Sequence, residues 1–207
     1  MSAYYKIIRK EDFQTTAWLG GTTTQMAIFP ESAEYAKRNF SWRISTAVIN
    51  VEETEFTRLP GYWRLLMATG GQFTLQHENR HRAILRPFDQ DSFDGGWTTR
   101  CYGRGDDLNV MLASGWTAEI ECISLLDSAS DRLQDAVDRK HCTSFECIHP
   151  IDGDILVKVS EDVPVLLPQG ELLIYKKEGH EPNVHFQYVN PNTDRNEPVL
   201  LIRITIH

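Results

Sequence analysis

The chain has 207 residues, of which 41% are hydrophobic and 24% charged, which is typical of a globular protein with a sizeable core. Its formal net charge of −8 and the lack of a Lys/Arg cluster argue against a nucleic acid or an anionic membrane as partner. No apolar run approaches the roughly 18 residues that span a bilayer and no signal-peptide pattern follows Met1, so we expect a cytoplasmic protein.

Short segments with strand character, punctuated by Gly, Asn, Asp and Pro, fill the first part of the chain. Residues 31–39 are predicted to form a short surface helix. Many short strands at this spacing are typical of an all-β sandwich or barrel. The predicted strands are 4–9, a run after the turn at 20–21 that ends at Pro30, 40–50, 62–68, 72–77, 82–86, 98–102, 107–113 and 116–125.

The later part of the chain contains a break and a second β unit. Ala129, Leu133 and Ala136 recur at helical spacing, which predicts a helix over 127–140. Three strands follow, and residues 178–197 are predicted to be a long polar loop. We therefore expect two β units, one over 1–125 and one over 145–207, with possible exchange of strands and a connecting helix or loop over 126–144.

Two motifs resemble metal sites. Residues 77–81 (HENRH) fit H-E-x-x-H, which binds zinc when a helix places both histidines on one face. Here β-type residues and Asn79 favour a hairpin with His77 and His81 on either side of its turn. The sequence therefore predicts a solvated turn with no metal.

The second motif comprises His141, Cys142, Cys147 and His149. These are soft ligands, but there is no C-x-x-C, and the flanking Phe and Ile favour an edge strand. We predict reduced thiols packed near the link between the two units. No metal, cofactor or catalytic residue is expected anywhere in the chain.

Polar residues interrupt two apolar strands. With a period of two, Arg43 and Ser45 share one face of 40–48, and Arg64 lies opposite Trp63 and Leu65. In 107–112, Asp107 and Asn109 likewise share one face. If these faces meet, they form a polar cavity in which an arginine fork suits a carboxylate.

The alternative is that Asp107 forms a structural ion pair with Arg43 or Arg64, because buried charges are usually paired. One arginine could also serve the fold while the other is left for a ligand.

The same residues carry a resemblance to the HutD/Ves family. Its motifs here are residues 42–45 (WRIS), 56–64 (FTRLPGYWR), 93–96 (FDGG) and 107–111 (DLNVM), preceded by Gly-Gly-Thr-Thr-Thr after Trp18. Their order and spacing agree over about residues 1–115. The resemblance implies a bicupin, with two cupin-like β-barrels in one chain, and an accessory or regulatory role in histidine utilisation.

The cupin metal set is absent, which disfavours a metal-dependent dioxygenase. A formylated or formimino glutamate would bring carboxylates that suit the arginines.

We therefore expect a non-enzymatic protein that binds a small carboxylate-bearing metabolite, with no nucleic acid or membrane as partner, and a homodimer is left open. Arg43 and Arg64 would anchor charge, and Ser45, Asn109 and Asp107 would form the polar wall. Thr22 and Thr24 would close the rim. A metal-independent cupin isomerase or lyase and a protein-interaction regulatory module are the alternatives.

Overall fold

The computed structural model describes residues 5–133, 143–178, 184–192 and 197–207, without the side chains of 129–133. The first eleven strands are β1 (Tyr5–Ile8), β2 (Gln14–Trp18), β3 (Gly21–Phe29), β4 (Trp42–Ile49), β5 (Glu53–Glu55), β6 (Tyr62–Gly71), β7 (Phe73–His77), β8 (Arg82–Leu85), β9 (Gln90–Asp94), β10 (Thr99–Tyr102) and β11 (Gly105–Ala113). The others are β12 (Ala118–Leu125), β13 (Ser128–Leu133), β14 (Thr143–Asp152), β15 (Ile155–Val159), β16 (Val165–Leu167), β17 (Leu172–Glu178), β18 (Val184–Val189) and β19 (Val199–Ile206).

The predicted all-β class is confirmed. The helices of the described residues are two short 3-10 turns, Lys10–Asp12 and Tyr35–Lys37. None of the helices in the described part of the chain has the length and apolar character required to cross a membrane.

The chain divides into two compact units. One is Asp12–Trp116, and the other joins the described residues up to Glu11 to those from Thr117 onwards. The sequence predicts boundaries at 125 and 145. The structure assigns β1 and β12 to the second unit instead, because β1 pairs with β17 and β12 pairs with β19.

The Asp12–Trp116 unit contains two sheets, with strand orders β2-β3-β4-β11-β6-β9 and β5-β10-β7-β8. Their inner faces share one core, to which Ile49 and Leu66 contribute from the larger sheet and Phe73 and Leu75 from the smaller sheet. Burial of this apolar surface provides the main stabilisation of the unit. The alternating burial along β10 shows the two-residue period that produces such a face.

The other unit has the same arrangement, with sheets ordered β1-β17-β14-β19-β12 and β13-β18-β15-β16. Leu173 and Leu201 from the first sheet pack with Val157 and Phe186 from the second. In the described residues the strand pairs of both units form open sheets without closing a barrel.

Several elements differ from the expectations. Ser128–Leu133 is a strand paired with Val184–Val189, where the sequence predicts a helix and a loop respectively, while 134–142 lie outside the described residues. The helix predicted over 31–39 is reduced to the Tyr35–Lys37 turn. Strand β14 lies between β17 and β19, so it is an interior strand and not an edge strand.

Candidate functional site

The polar residues singled out in the sequence lie on three adjacent strands of the larger sheet, β4, β11 and β6. Met111 of β11 is paired with Arg43 on one side and with Arg64 on the other. Asn109 is paired with Ser45. Because side chains alternate along a strand, this register places all of these residues on one face.

That face borders a cavity of about 140 Å³ in the Asp12–Trp116 unit. Five of the seven predicted site residues line it, namely Arg43, Ser45, Arg64, Asp107 and Asn109. The structure therefore brings together the residues that the strand period groups on a single face.

Arg43 is buried and held by neutral partners. Its Nε donates to Gln25 Oε1 at 2.8 Å and one terminal nitrogen donates to Ser45 Oγ at 3.0 Å. Its guanidinium carbon lies 4.4 Å from the centre of the Tyr35 ring. Burial lowers the pKa of Arg43 to about 10, so the side chain is cationic at neutral pH, and no carboxylate of the described residues pairs with it.

Arg64 is the more isolated of the two arginines. It is 6% exposed, and its guanidinium carbon lies 5.2 Å from the ring centres of both Phe56 and Phe93. Its Nε is buried without a hydrogen-bond partner among the described residues. Burial lowers the pKa of Arg64, and the charge of Asp107 opposes this shift.

Asp107 and Asn109 each point an unmatched acceptor into the same region. Both side-chain Oδ1 atoms are buried without a partner in the described residues. Burial raises the pKa of Asp107 to about 7, although Arg64 acts in the opposite direction. At neutral pH this carboxyl can therefore hold or release a proton.

The structure does not contain the ion pair that the alternative interpretation requires. Among the described residues, Asp107 makes no ion pair or hydrogen bond with Arg43 or Arg64. The interaction between Arg64 and Asp107 acts through longer-range electrostatics. Both arginines are thus available to a negatively charged group inside the cavity.

The threonines expected at the rim, Thr22 and Thr24, lie on the face of β3 away from the cavity. Thr22 and Thr24 are not among the lining residues, and the Thr24 hydroxyl shares a hydrogen bond of 2.8 Å with Thr15. Thr23 lies on the cavity side because it is paired with Ala47, which is on the same face as Ser45. The alternation of the strand therefore assigns Thr22 and Thr24 to the opposite face.

Other lining residues were not proposed as site residues from the sequence, although Phe56 and Thr57 belong to the same motif as Arg64. They are Thr16, Trp18, Tyr35, Phe56 and Thr57. The Trp18 Nε1 is buried without a partner among the described residues and adds a donor to the cavity wall. The sequence gives only a weak signal for these residues, because their position at the cavity depends on contacts between distant segments of the chain.

The predicted hairpin at the H-E-x-x-H motif is confirmed. Strands β7 and β8 are antiparallel, and the backbone N–H of His77 donates to the carbonyl of His81 at 2.9 Å. In the second motif, Cys147 is buried and His149 Nδ1 lies 2.9 Å from the carbonyl oxygen of Glu171, while His141 and Cys142 lie outside the described residues. Cys101, Cys122 and Cys147 are free thiols.

Comparison with known proteins finds a family and a fold. The model of the HutD family matches residues 10–186. The comparison with curated protein sequences finds no match.

Solved structures similar to this chain include a conserved protein of unknown function, PA5104 from Pseudomonas aeruginosa PAO1 (19% identity, 98% of each chain covered, TM-score 0.77). Another is HutD from Pseudomonas fluorescens SBW25 in a formate condition (18% identity, 99% of this chain and 100% of that chain, TM-score 0.69). A third is the oxalate decarboxylase formate complex from Lactobacillus farciminis (9% identity, 99% and 86% covered, TM-score 0.61). At these identities the likeness shows a cupin-like fold.

Proposed function

Because the chain belongs to the HutD family, we propose that it is a non-enzymatic protein that binds a small carboxylate-bearing metabolite and thereby regulates histidine utilisation. The binding site is the cavity of the Asp12–Trp116 unit.

The observation that carries the proposal is the buried Arg64, whose Nε has no hydrogen-bond partner among the described residues. Removing a charge from water without a partner costs several kcal/mol, so folded proteins rarely keep such a group without a function. A carboxylate placed against the guanidinium would replace the lost hydration with charge-assisted hydrogen bonds.

The other unit offers an internal comparison. There Arg203 is also buried, but its Nε donates to Glu146, and Glu121 lies 3.1 Å from one terminal nitrogen. Thr205 also donates to Glu146, at 3.1 Å. The carboxylate that this arginine needs is supplied by the chain itself, whereas Arg43 and Arg64 lack one among the described residues.

The remaining polar atoms suggest what else the metabolite carries. Arg43 is oriented by Gln25 and Ser45, so its fork is fixed before a ligand arrives. The unmatched oxygens of Asp107 and Asn109 accept hydrogen bonds, and therefore favour a ligand with an N–H or O–H group beside its carboxylate. An N-acylated or formimino amino acid has this combination.

The size of the cavity limits the ligand. A volume of about 140 Å³ holds on the order of ten water-sized groups, which suits a small metabolite and not a peptide or a nucleotide. HutD from Pseudomonas fluorescens was determined in a formate condition, and formate is the smallest carboxylate. The proposal also comprises a bicupin architecture with two cupin-like β units per chain, a cytoplasmic location, and no nucleic acid or membrane as partner.

A thermal-shift screen tests the proposal. Intermediates of histidine degradation and other small acids are compared with their amides, which keep the shape but lose the charge. A true ligand at about 100 times its dissociation constant should stabilise the fold by about 2.7 kcal/mol, whereas the matched amide should have little effect. Equal shifts from acids and amides, or no shift from any acid, would contradict carboxylate binding.

A metal-independent isomerase or lyase is the second candidate, because Asp107 is buried in the cavity with a pKa of about 7. A carboxyl that titrates near the working pH is suited to general acid–base catalysis. The two functions separate in the Asp107→Asn variant. If wild type converts a bound acid, and Asp107→Asn still binds that acid but no longer converts it, the protein is an enzyme. If wild type binds the acid and does not convert it, the protein is a binding protein.

A further inference from the structure

His77, His81 and Asp91 meet outside the cavity at a point where the two sheets of the Asp12–Trp116 unit come together. His77 ends β7 of the smaller sheet, and Asp91 lies in β9 of the larger sheet. His77 Nε2 lies 2.8 Å from Asp91 Oδ2, and His81 Nε2 lies 3.0 Å from Asp91 Oδ1. One potential ligand atom from each of the three residues lies within 4.8 Å of the other two.

From this geometry we propose that His77, His81 and Asp91 bind a divalent first-row transition-metal ion such as Zn²⁺. Two imidazoles and a carboxylate form a ligand set that such ions prefer. With metal–ligand bonds of about 2.0–2.1 Å, tetrahedral ligands are about 3.3 Å apart. Asp91 Oδ2 lies 2.8 Å from His77 Nε2 and 3.2 Å from His81 Nε2, close to this value, and all three ligand atoms lie within 4.8 Å of one another.

The hairpin provides this arrangement without a helix. Asn79 adopts a φ of 55°, and the turn is closed by Arg80 N–H donating to the carbonyl of His77 at 3.1 Å. The turn returns the chain so that the two imidazole centres are 4.4 Å apart. The motif thus places both histidines beside the carboxylate of Asp91, although it does not form the helix of its usual zinc-binding form.

The surroundings of His77 favour binding through Nε2. Its Nδ1 lies 2.9 Å from Thr99 Oγ1, so a proton on Nδ1 can be donated to the hydroxyl while Nε2 remains free for the ion. The ring of Phe93, 4.5 Å away, packs against the buried imidazole. By contrast, the side chain of His81 is 45% exposed, which gives an ion access and leaves coordination positions for water or a small molecule.

An alternative function for the cluster is a hydrogen-bonded link between the sheets. A metal site and a hydrogen-bonded link differ in their response to Co²⁺, whose visible absorption reports its coordination. The full-length protein, freed of tag and dialysed against EDTA, is titrated with CoCl₂ and then with ZnCl₂. We expect one equivalent of Co²⁺ to produce a visible spectrum that Zn²⁺ abolishes.

The variants locate the ion among the seven histidines of the chain. Because His81 is partly exposed, His81→Ala should fold normally while its affinity for Co²⁺ falls at least tenfold. Asp91→Asn should cause a similar loss. His185→Ala, which removes an exposed histidine from the other unit, should bind as wild type does. The absence of a saturable spectrum, or equal affinity in wild type and His81→Ala, would overturn the proposal and leave the sheet link as the explanation.

Discussion

Replacement of Arg64 by methionine should stabilise the protein in the absence of ligand. Arg64 is buried over Phe56 and Phe93, with its Nε unmatched in the described part of the chain. Methionine keeps an unbranched chain over the rings, and its sulfur–aromatic contacts are comparable with the cation–π contacts that are lost. The substitution therefore removes mainly the cost of burying an unpaired charge.

The effect on Asp107 determines the size of the gain. Arg64 opposes the rise in the pKa of Asp107, so without Arg64 that carboxyl takes up a proton at neutral pH and remains uncharged. No uncompensated ion is left behind. Replacement of buried ionic groups by apolar ones of similar size is often stabilising by about 1–4 kcal/mol. We expect a gain of about 1–2 kcal/mol, or a rise in Tm of about 2–8 °C for a chain of this length.

The matched control is Arg203→Met in the other unit. This substitution leaves Glu146 buried without its cationic partner, which should cost about 3–5 kcal/mol. Differential scanning calorimetry of both variants and wild type measures the contrast. If Arg64→Met lowers Tm as Arg203→Met does, then Arg64 has a stabilising partner in solution and its burial does not cost stability.

Two further predictions concern the cavity. Because the folded pKa of Asp107, about 7, lies above the unfolded value of 3.8, the protein loses stability from this carboxyl as pH rises between these values. In urea denaturation, the free energy of unfolding of Asp107→Asn should equal that of wild type near pH 4 and exceed it at pH 8 by at most about 4 kcal/mol. The control Asp12→Asn, which replaces an exposed carboxyl, should follow wild type at both pH values. If the free energies of all three proteins change in parallel with pH, the cost of burying Asp107 is contradicted. Ser45→Ala removes a hydrogen bond to Arg43 and should lower stability by about 1–2 kcal/mol; an unchanged urea midpoint would show that Ser45 does not hold the arginine.

Strand periodicity was sufficient to group the cavity residues. Arg43 and Ser45 are two positions apart, as are Asp107 and Asn109, so each pair must share a face once the segment is a strand. The same rule could not choose among consecutive threonines, since the face depends on the register with β4. It also could not bring Trp18 to the cavity, because that position depends on contacts between distant segments.

The missed elements have identifiable causes. Ala129 and Leu133 are four positions apart, a spacing that places residues on one side of a helix but also on one face of a strand, and here Ser128–Leu133 pairs with β18. Strand β18 itself has alternating apolar and polar residues, a signal that the surrounding polar sequence obscured. Asp91 could not be associated with His77 and His81 because it lies in the other sheet.

Isothermal titration calorimetry of wild type and Arg64→Met with a small carboxylic acid shows whether the buried arginine binds a carboxylate. Hydrogen bonds to charged groups contribute about 1.5–3 kcal/mol, so Arg64→Met should bind the acid roughly 10- to 150-fold more weakly while remaining folded. Equal affinity in the two proteins would contradict the claim that the buried arginine is kept for a ligand carboxylate.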